Sequence, residues 1–195
     1  MTGPTSTDGG SDLDQTDAPP VSPVAATASG RPVWVLFFGI AAAVVIVDLV
    51  SKAWVVANIV PGTARPVLAD LVRLIHSRND GAIFGLFGSA APVLAIASIG
   101  VLALIVWYHA RSGRSPLLSV ALGLLLGGAL GNLFDRIRFG YVVDWVDMGI
   151  GGVRFWTFNL GDAAISLAIL LLLMLALWPG LAAGAAGLGG KPSDG

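Results

Sequence analysis

Four long apolar runs set the pattern of this chain: Val33–Val56, Ala91–Tyr108, Pro116–Phe134 and Leu160–Trp178. Each comes near the roughly 20 mostly apolar residues that a helix needs to cross a bilayer. The pattern therefore predicts an all-α membrane protein, a bundle of four transmembrane helices. The connections differ. Residues 57–90 are too many for a simple turn; "PGTARP" offers a turn, "VLADLVRLIH" a short strand, and "RNDGAIFG" turns the chain back. "HARSGRS" is short and basic. Residues 135–159 are rich in charge, and "GIGGVRFWTF" there reads as a turn followed by a strand or a short interfacial element.

The flanks are of another kind. Residues 1–32, rich in Thr, Ser, Gly, Pro and Asp, read as a disordered tail without a signal peptide's basic start and apolar core. Residues 179–195 read as a second flexible tail. The membrane domain is thus 33–178. Arg111 and Arg114 in the short second connection favour the cytoplasmic side. That places both termini in the cytoplasm and connections one and three outside. Trp54, Trp107, Trp145, Trp156 and Trp178 fall near span ends, where interfacial tryptophans belong.

Composition narrows the chemistry. The chain is 55% hydrophobic and 12% charged, with a net charge of −1. It has no basic footprint for nucleic acid. It has no cysteine, which excludes disulfides, thiolate metal sites and a cysteine nucleophile. The two histidines, His76 and His109, form no HExxH pattern, so neither a metal nor any other cofactor is expected. Every one of the 12 acidic residues is an aspartate.

Against that background, five charges crowd into Asp135–Asp147: Asp135, Arg136, Arg138, Asp144 and Asp147. Ionisable groups in spanning segments cost about 2.5–3.5 kcal/mol each on insertion scales and tend to mark function. Asp48 and Lys52 in the first run are spaced i, i+4 and can pair on one face. Asp162 opens the fourth run. If the first helix runs outward, these charges converge on the outer edge of one bundle.

Local structure offers competing readings. Gly123, Gly127 and Gly131 share a helix face, which lets a neighbouring backbone approach closely. Gly128, Asn132 and Arg136 form the next stripe. Arg136 snorkelling to headgroups is one reading; a polar site facing the bundle interior is favoured. Asn159 is a candidate N-cap with Asp162 three residues on, where an acid suits the macrodipole. The functional reading pairs Asp162 with Asp144. Two neighbouring carboxylates do not easily both ionise, so such a pair holds one proton near neutral pH. One member can deprotonate water while the other protonates or polarises a scissile carbonyl.

Several motifs in order complete the picture: "DLVSK", "NDGAIFG", "GGALGNLFDR", "VVDW" and "FNLGDAAI". With them the chain, from about Val33 to Trp178, resembles the bacterial lipoprotein signal peptidases (signal peptidase II). The resemblance implies an aspartyl endopeptidase of the bacterial cytoplasmic membrane with its active site toward the outer leaflet. It implies cleavage of diacylglyceryl-modified prolipoproteins just before the lipidated cysteine, and inhibition by globomycin-type cyclic peptides. It also implies an extracytoplasmic β-cradle after the first helix and a short outer helix between the third and fourth. By motif position the catalytic pair is Asp144 and Asp162. Asp48, Lys52, Asn79, Gly128, Asn132, Arg136 and Asn159 are expected to orient the pair or hold substrate. Asp135 and Arg136 are expected to brace the helix end, while Asp147 and Arg138 are expected to be solvated or headgroup-facing. Two positions depart from the family pattern: Gly161 for the usual alanine, and Gly85 where serine is common.

Rival readings fit less well. "LGD" overlaps a GxGD protease signature but has Asn159 where its first glycine belongs. Ser51 and Lys52 are helix neighbours and do not face each other. The alternative from another class is a small transporter or ion-conducting protein, which needs polar groups through the bilayer centre. The second run and most of the fourth have none.

Overall fold

A computed structural model describes residues 32–81 and 91–179, together with Gly3 and Leu181. Nearly all of both tails, Gly85 and the end of "NDGAIFG" lie outside the described residues. Four helices are long and apolar enough to cross a membrane: α1 (Trp34–Asn58), α2 (Ala91–Ser112), α3 (Pro116–Phe139) and α4 (Leu160–Leu177). Strands β1 (Ala64–Leu68) and β2 (Val72–Asn79) follow α1. Strands β3 (Val142–Ile150) and β4 (Val153–Arg154) lie between α3 and α4.

The central helix is α3, which packs against α1, α2 and α4. Its apolar window is 56% buried, against 11–17% in the other three, whose outward faces are left for lipid. The glycines explain the close approach. A Cβ on Gly123 would meet the Phe37 carbonyl oxygen at 2.7 Å, and one on Gly127 the Ala41 carbonyl oxygen at 2.7 Å. A Cβ on Gly131 would collide with the Asp48 carboxylate. This stripe therefore seats α1. On the adjacent stripe, a Cβ on Gly128 would strike the Gly161 carbonyl, so Gly128 seats α4.

The helix α3 outlasts its apolar run by five residues. Its charged last turn is helical because Arg136 and Arg138 complement the negative end of the macrodipole. Gly140 then stops it at φ +78°, donating its N–H to the Arg136 carbonyl. The four strands form one antiparallel sheet in the order β1-β2-β3-β4. The stretch "VLADLVRLIH" is not one strand. It breaks at Ala69 and Asp70, where Ala69 takes φ +43°, and so supplies both arms of a hairpin.

The short outer helix expected between α3 and α4 is not formed. All of residues 140–159 are described, and none is helical. The β-branched, alternating "VVDWV" instead pairs along β2, with Ser77 opposite Asp144 and Asn79 opposite Val142. The chain then turns at Gly151 and returns. Phe158 bridges back to Val146, and its carbonyl accepts the Trp145 N–H at 3.0 Å. That return brings Asn159 beside β3 just as α4 begins.

Candidate active site

The sheet-bearing end of the bundle gathers the buried polar groups into one network. Lys52 is its hub. Its Nζ lies 2.6 Å from Asp48 Oδ2 and 3.0 Å from Asp135 Oδ2, and it donates to Asn132 Oδ1 at 2.9 Å. All three partners are buried. The i, i+4 spacing of Asp48 and Lys52 gives the first of these contacts, and α3 supplies the other two. Asp48 Oδ1 accepts the Gly161 N–H at 2.8 Å, so the same pair also ties down the start of α4. Asp135 Oδ2 accepts the Val143 N–H at 3.0 Å and thereby fixes the entry of β3.

Three asparagines carry the network to the two candidate acids. Asn132 Nδ2 donates to Asp162 Oδ1 at 2.7 Å. Asn159 Nδ2 donates to Asp144 Oδ1 at 2.7 Å and to Asn132 Oδ1 at 3.2 Å. Asn79 Nδ2 donates to Asp144 Oδ2 at 3.0 Å from the end of β2. Asn159 and Asp162 also form a reciprocal capping box. Asp162 N–H donates to Asn159 Oδ1 at 2.9 Å, and Asn159 N–H to Asp162 Oδ2 at 3.2 Å. Asp162 is thus a helix cap and a member of the network at once.

The two acids sit in different surroundings. Asp144 is only 2% exposed. Burial, and then the charge of Asp162, push its carboxyl up to about 6, against the pull of the Asn79 and Asn159 amides and of Lys52. Asp162 is half-buried and lines a hollow of about 500 Å³ with Phe158, Ser166 and Leu170.

The remaining expected residues fall as follows. Arg136 is half-buried; its guanidinium donates weakly to the Asn132 carbonyl at 3.4 Å and feels the charges of Asp162, Asp144 and Asp135. It makes no direct ion pair with them among the described residues. Gly128 and Gly161 are the touching point of α3 and α4. A Cβ on Gly161 would come within 3.1 Å of both Asn159 Oδ1 and the Gly128 carbonyl, so the glycine suits this close crossing.

Asp147 is corrected by the structure. It is 5% exposed rather than solvated. Arg73 Nη2 lies 2.8 Å and Arg154 Nη2 2.9 Å from its Oδ2, so one carboxylate clasps β2, β3 and β4. Burial raises this carboxyl, but the two arginines outweigh it and hold it below the usual carboxylate range.

Asp135 is the residue whose importance the pattern understated. A signal existed: Gly128, Gly131, Asn132 and Asp135 follow i, i+3, i+4, i+7 and so share one face of α3. Among the described residues no group of three or more His, Cys, Asp or Glu side chains is arranged to hold a metal ion.

Comparison with known proteins agrees in all directions. The family model described as signal peptidase (SPase) II matches residues 40–178. The lipoprotein signal peptidase of Syntrophomonas wolfei is 41% identical over 145 residues, covering 74% of this chain and 94% of that protein. The lipoprotein signal peptidase of Moorella thermoacetica is 37% identical over 145 residues, covering 73% and 93%. A solved bacterial membrane enzyme superposes with TM-score 0.72 at 29% identity, covering 76% of this chain and 97% of that one. A second superposes with TM-score 0.71 at 26% identity, covering 85% and 98%.

Proposed function

The chain belongs to the signal peptidase II family, and from that premise we propose that Asp144 and Asp162 are the catalytic pair of a lipoprotein signal peptidase. The protein is a multi-pass membrane peptidase whose substrates are prolipoproteins. The observation that carries the assignment is the asparagine bridge: Asn159 and Asn132 hold the two carboxylates from β3 and from α4 within one continuous hydrogen-bond network. Asp162 also opens onto a hollow of about 500 Å³ beside that network.

In the reaction the pair shares one proton. The ionised carboxylate takes a proton from water as the water oxygen bonds to the scissile carbonyl carbon. The protonated carboxyl gives its proton to the carbonyl oxygen. When the tetrahedral diol collapses, the C–N bond breaks, the carboxyl that took the water proton passes it to the departing amine, and one diol hydroxyl gives its proton to the other carboxylate, which restores the shared proton. Burial of Asp144 keeps its affinity for a proton high enough for this exchange near neutral pH. Lys52, flanked by Asp48 and Asp135, orients Asn132 and so acts on Asp162 through it.

Position follows from the same chemistry. Peptide hydrolysis needs water, and the substrate's diacylglyceryl chains need lipid. A site at the boundary between helices and sheet serves both. The sheet acts as a cradle for the extended segment around the cut, with the signal peptide lying along α4 by the Asp162 hollow. The site faces the outer leaflet, and both termini lie in the cytoplasm.

The test is cleavage of a diacylglyceryl-modified prolipoprotein by purified protein in detergent. Wild-type protein releases the signal peptide in the presence of a metal chelator and is blocked by a globomycin-type cyclic peptide. D144N and D162N each lose about 10²–10⁴-fold or more in rate, the worth of a positioned acid or base, while keeping their helical content. Normal cleavage by either variant would overturn the assignment.

A further inference from the structure

The hollow on the face of α1 and α3 that carries Arg138 is lined by neither Asp144 nor Asp162. Here the ends of the two helices enclose a hollow of about 280 Å³. Leu49, Val56 and Phe134 line it with apolar surface. Lys52 and Asp135, both buried, lie at its deep end; Arg138 and Phe139, both exposed, lie at its mouth. From the mouth a string of rings and guanidiniums continues onto the sheet. Arg138 lies over the Phe139 ring at 4.8 Å, Phe139 stacks with Tyr141 at 5.7 Å, and Arg78 lies over Tyr141 at 4.9 Å. Among the described residues neither Arg138 nor Arg78 has a carboxylate within ion-pair reach. Asp135, the acid nearest Arg138 in sequence, is already engaged by Lys52 and the Val143 N–H.

We propose that this hollow binds an anionic phospholipid, with an acyl chain along α1 and α3 and the headgroup phosphate on Arg138, supported by Arg78. Charge and depth both favour that occupant. The planar guanidinium suits a phosphate, and its aromatic support limits the freedom it loses on binding. The ends of spanning helices lie where headgroups lie. At the deep end Lys52 is already engaged by Asp48 and Asp135 and offers an anion no spare charge, so the phosphate stays at the mouth and the chain occupies the apolar walls. The lipid then packs against Lys52 and Asp135, the pair that steadies Asn132.

Lipid binding does not rest on the peptidase reading, and its test needs no cleavage. Purified wild-type protein and the variants R78Q/R138Q and A53F are equilibrated with equal amounts of dioleoyl phosphatidylglycerol and phosphatidylcholine. Native mass spectrometry then counts retained lipid. Wild-type protein retains the anionic lipid preferentially. R78Q/R138Q loses the preference, by roughly fivefold per arginine. A53F, which fills the hollow from a lining position with both arginines intact, retains less of the anionic lipid than wild type. Glycerol phosphate alone, at the same concentration, does not displace the lipid. Equal retention by wild type and either variant, the absence of any preference in wild type, displacement by glycerol phosphate, or a lipid-free dimer occupying the face would each overturn the proposal.

Discussion

The two ends of the helical bundle bury polar groups in opposite ways. At the sheet end Asp48, Lys52, Asn132, Asp135, Asp144 and Asn159 are all buried, and they answer one another with charges and amides. At the other end His109 is buried among rings. It stacks on Phe37 at 4.0 Å and meets the edge of Trp34 at 4.7 Å. Its Nε2 lies 3.0 Å from Ser119 Oγ, which donates to the Gly113 carbonyl at 3.2 Å. The first end is a network whose members hold one another in place. The second is a packed aromatic cluster in which the imidazole serves chiefly as a flat ring. Burial of an ionisable group alone therefore does not mark a site. What sets the proposed site apart is the mutual orientation of several such groups beside a hollow.

The largest test of that contrast is Lys52→Met. It leaves Asp48 and Asp135 buried without their shared cation, and breaking a buried pair costs about 3–5 kcal/mol. Unfolding in mixed detergent micelles should show that loss, and a loss below about 1 kcal/mol would mean that the two carboxylates find other partners.

Asn159→Ala comes next. It removes one donor from Asp144 and the cap oxygen of α4. A hydrogen bond to a charged group is worth about 1.5–3 kcal/mol, so kcat should fall about 10–100-fold, whereas a cap alone would lower stability by about 1 kcal/mol and spare the rate. Steady-state cleavage kinetics separate the two outcomes.

A third test uses pH. The folded-state carboxyl of Asp144 is raised to about 6 from 3.8. Its contribution to stability is then fully present below the unfolded value and is lost as pH rises through about 6. The stability of wild type relative to D144N should fall by on the order of 2 kcal/mol between pH 4 and 7. A flat difference would show that Asp144 is not held in a desolvated setting.

The smallest effect is expected at the other end. His109→Phe keeps the stacked ring and leaves Ser119 its bond to Gly113. It should change stability by less than about 1.5 kcal/mol and leave cleavage within about twofold of wild type. A larger fall in cleavage would tie the two ends together and dissolve the contrast.

Much of this molecule is written locally. Four spans follow from apolar length, the Asp48–Lys52 pair from i, i+4 spacing, the α4 cap from Asn159 and Asp162, and the α3 seam from glycines four residues apart. Each rests on forces that act within a few residues, so the amino-acid order alone determines them. What only the tertiary structure decided joins distant parts of the chain. Asp48 meets the Gly161 N–H across 113 residues, Asn79 meets Asp144 across 65, and Lys52 meets Asn132 across 80. Pairing with β2 made residues 142–150 a strand, in a connection where a short outer helix was expected, and it drew Asp147 inward between two arginines. Strand pairing and burial depend on which surfaces meet, and an isolated stretch of sequence carries no record of its eventual neighbour.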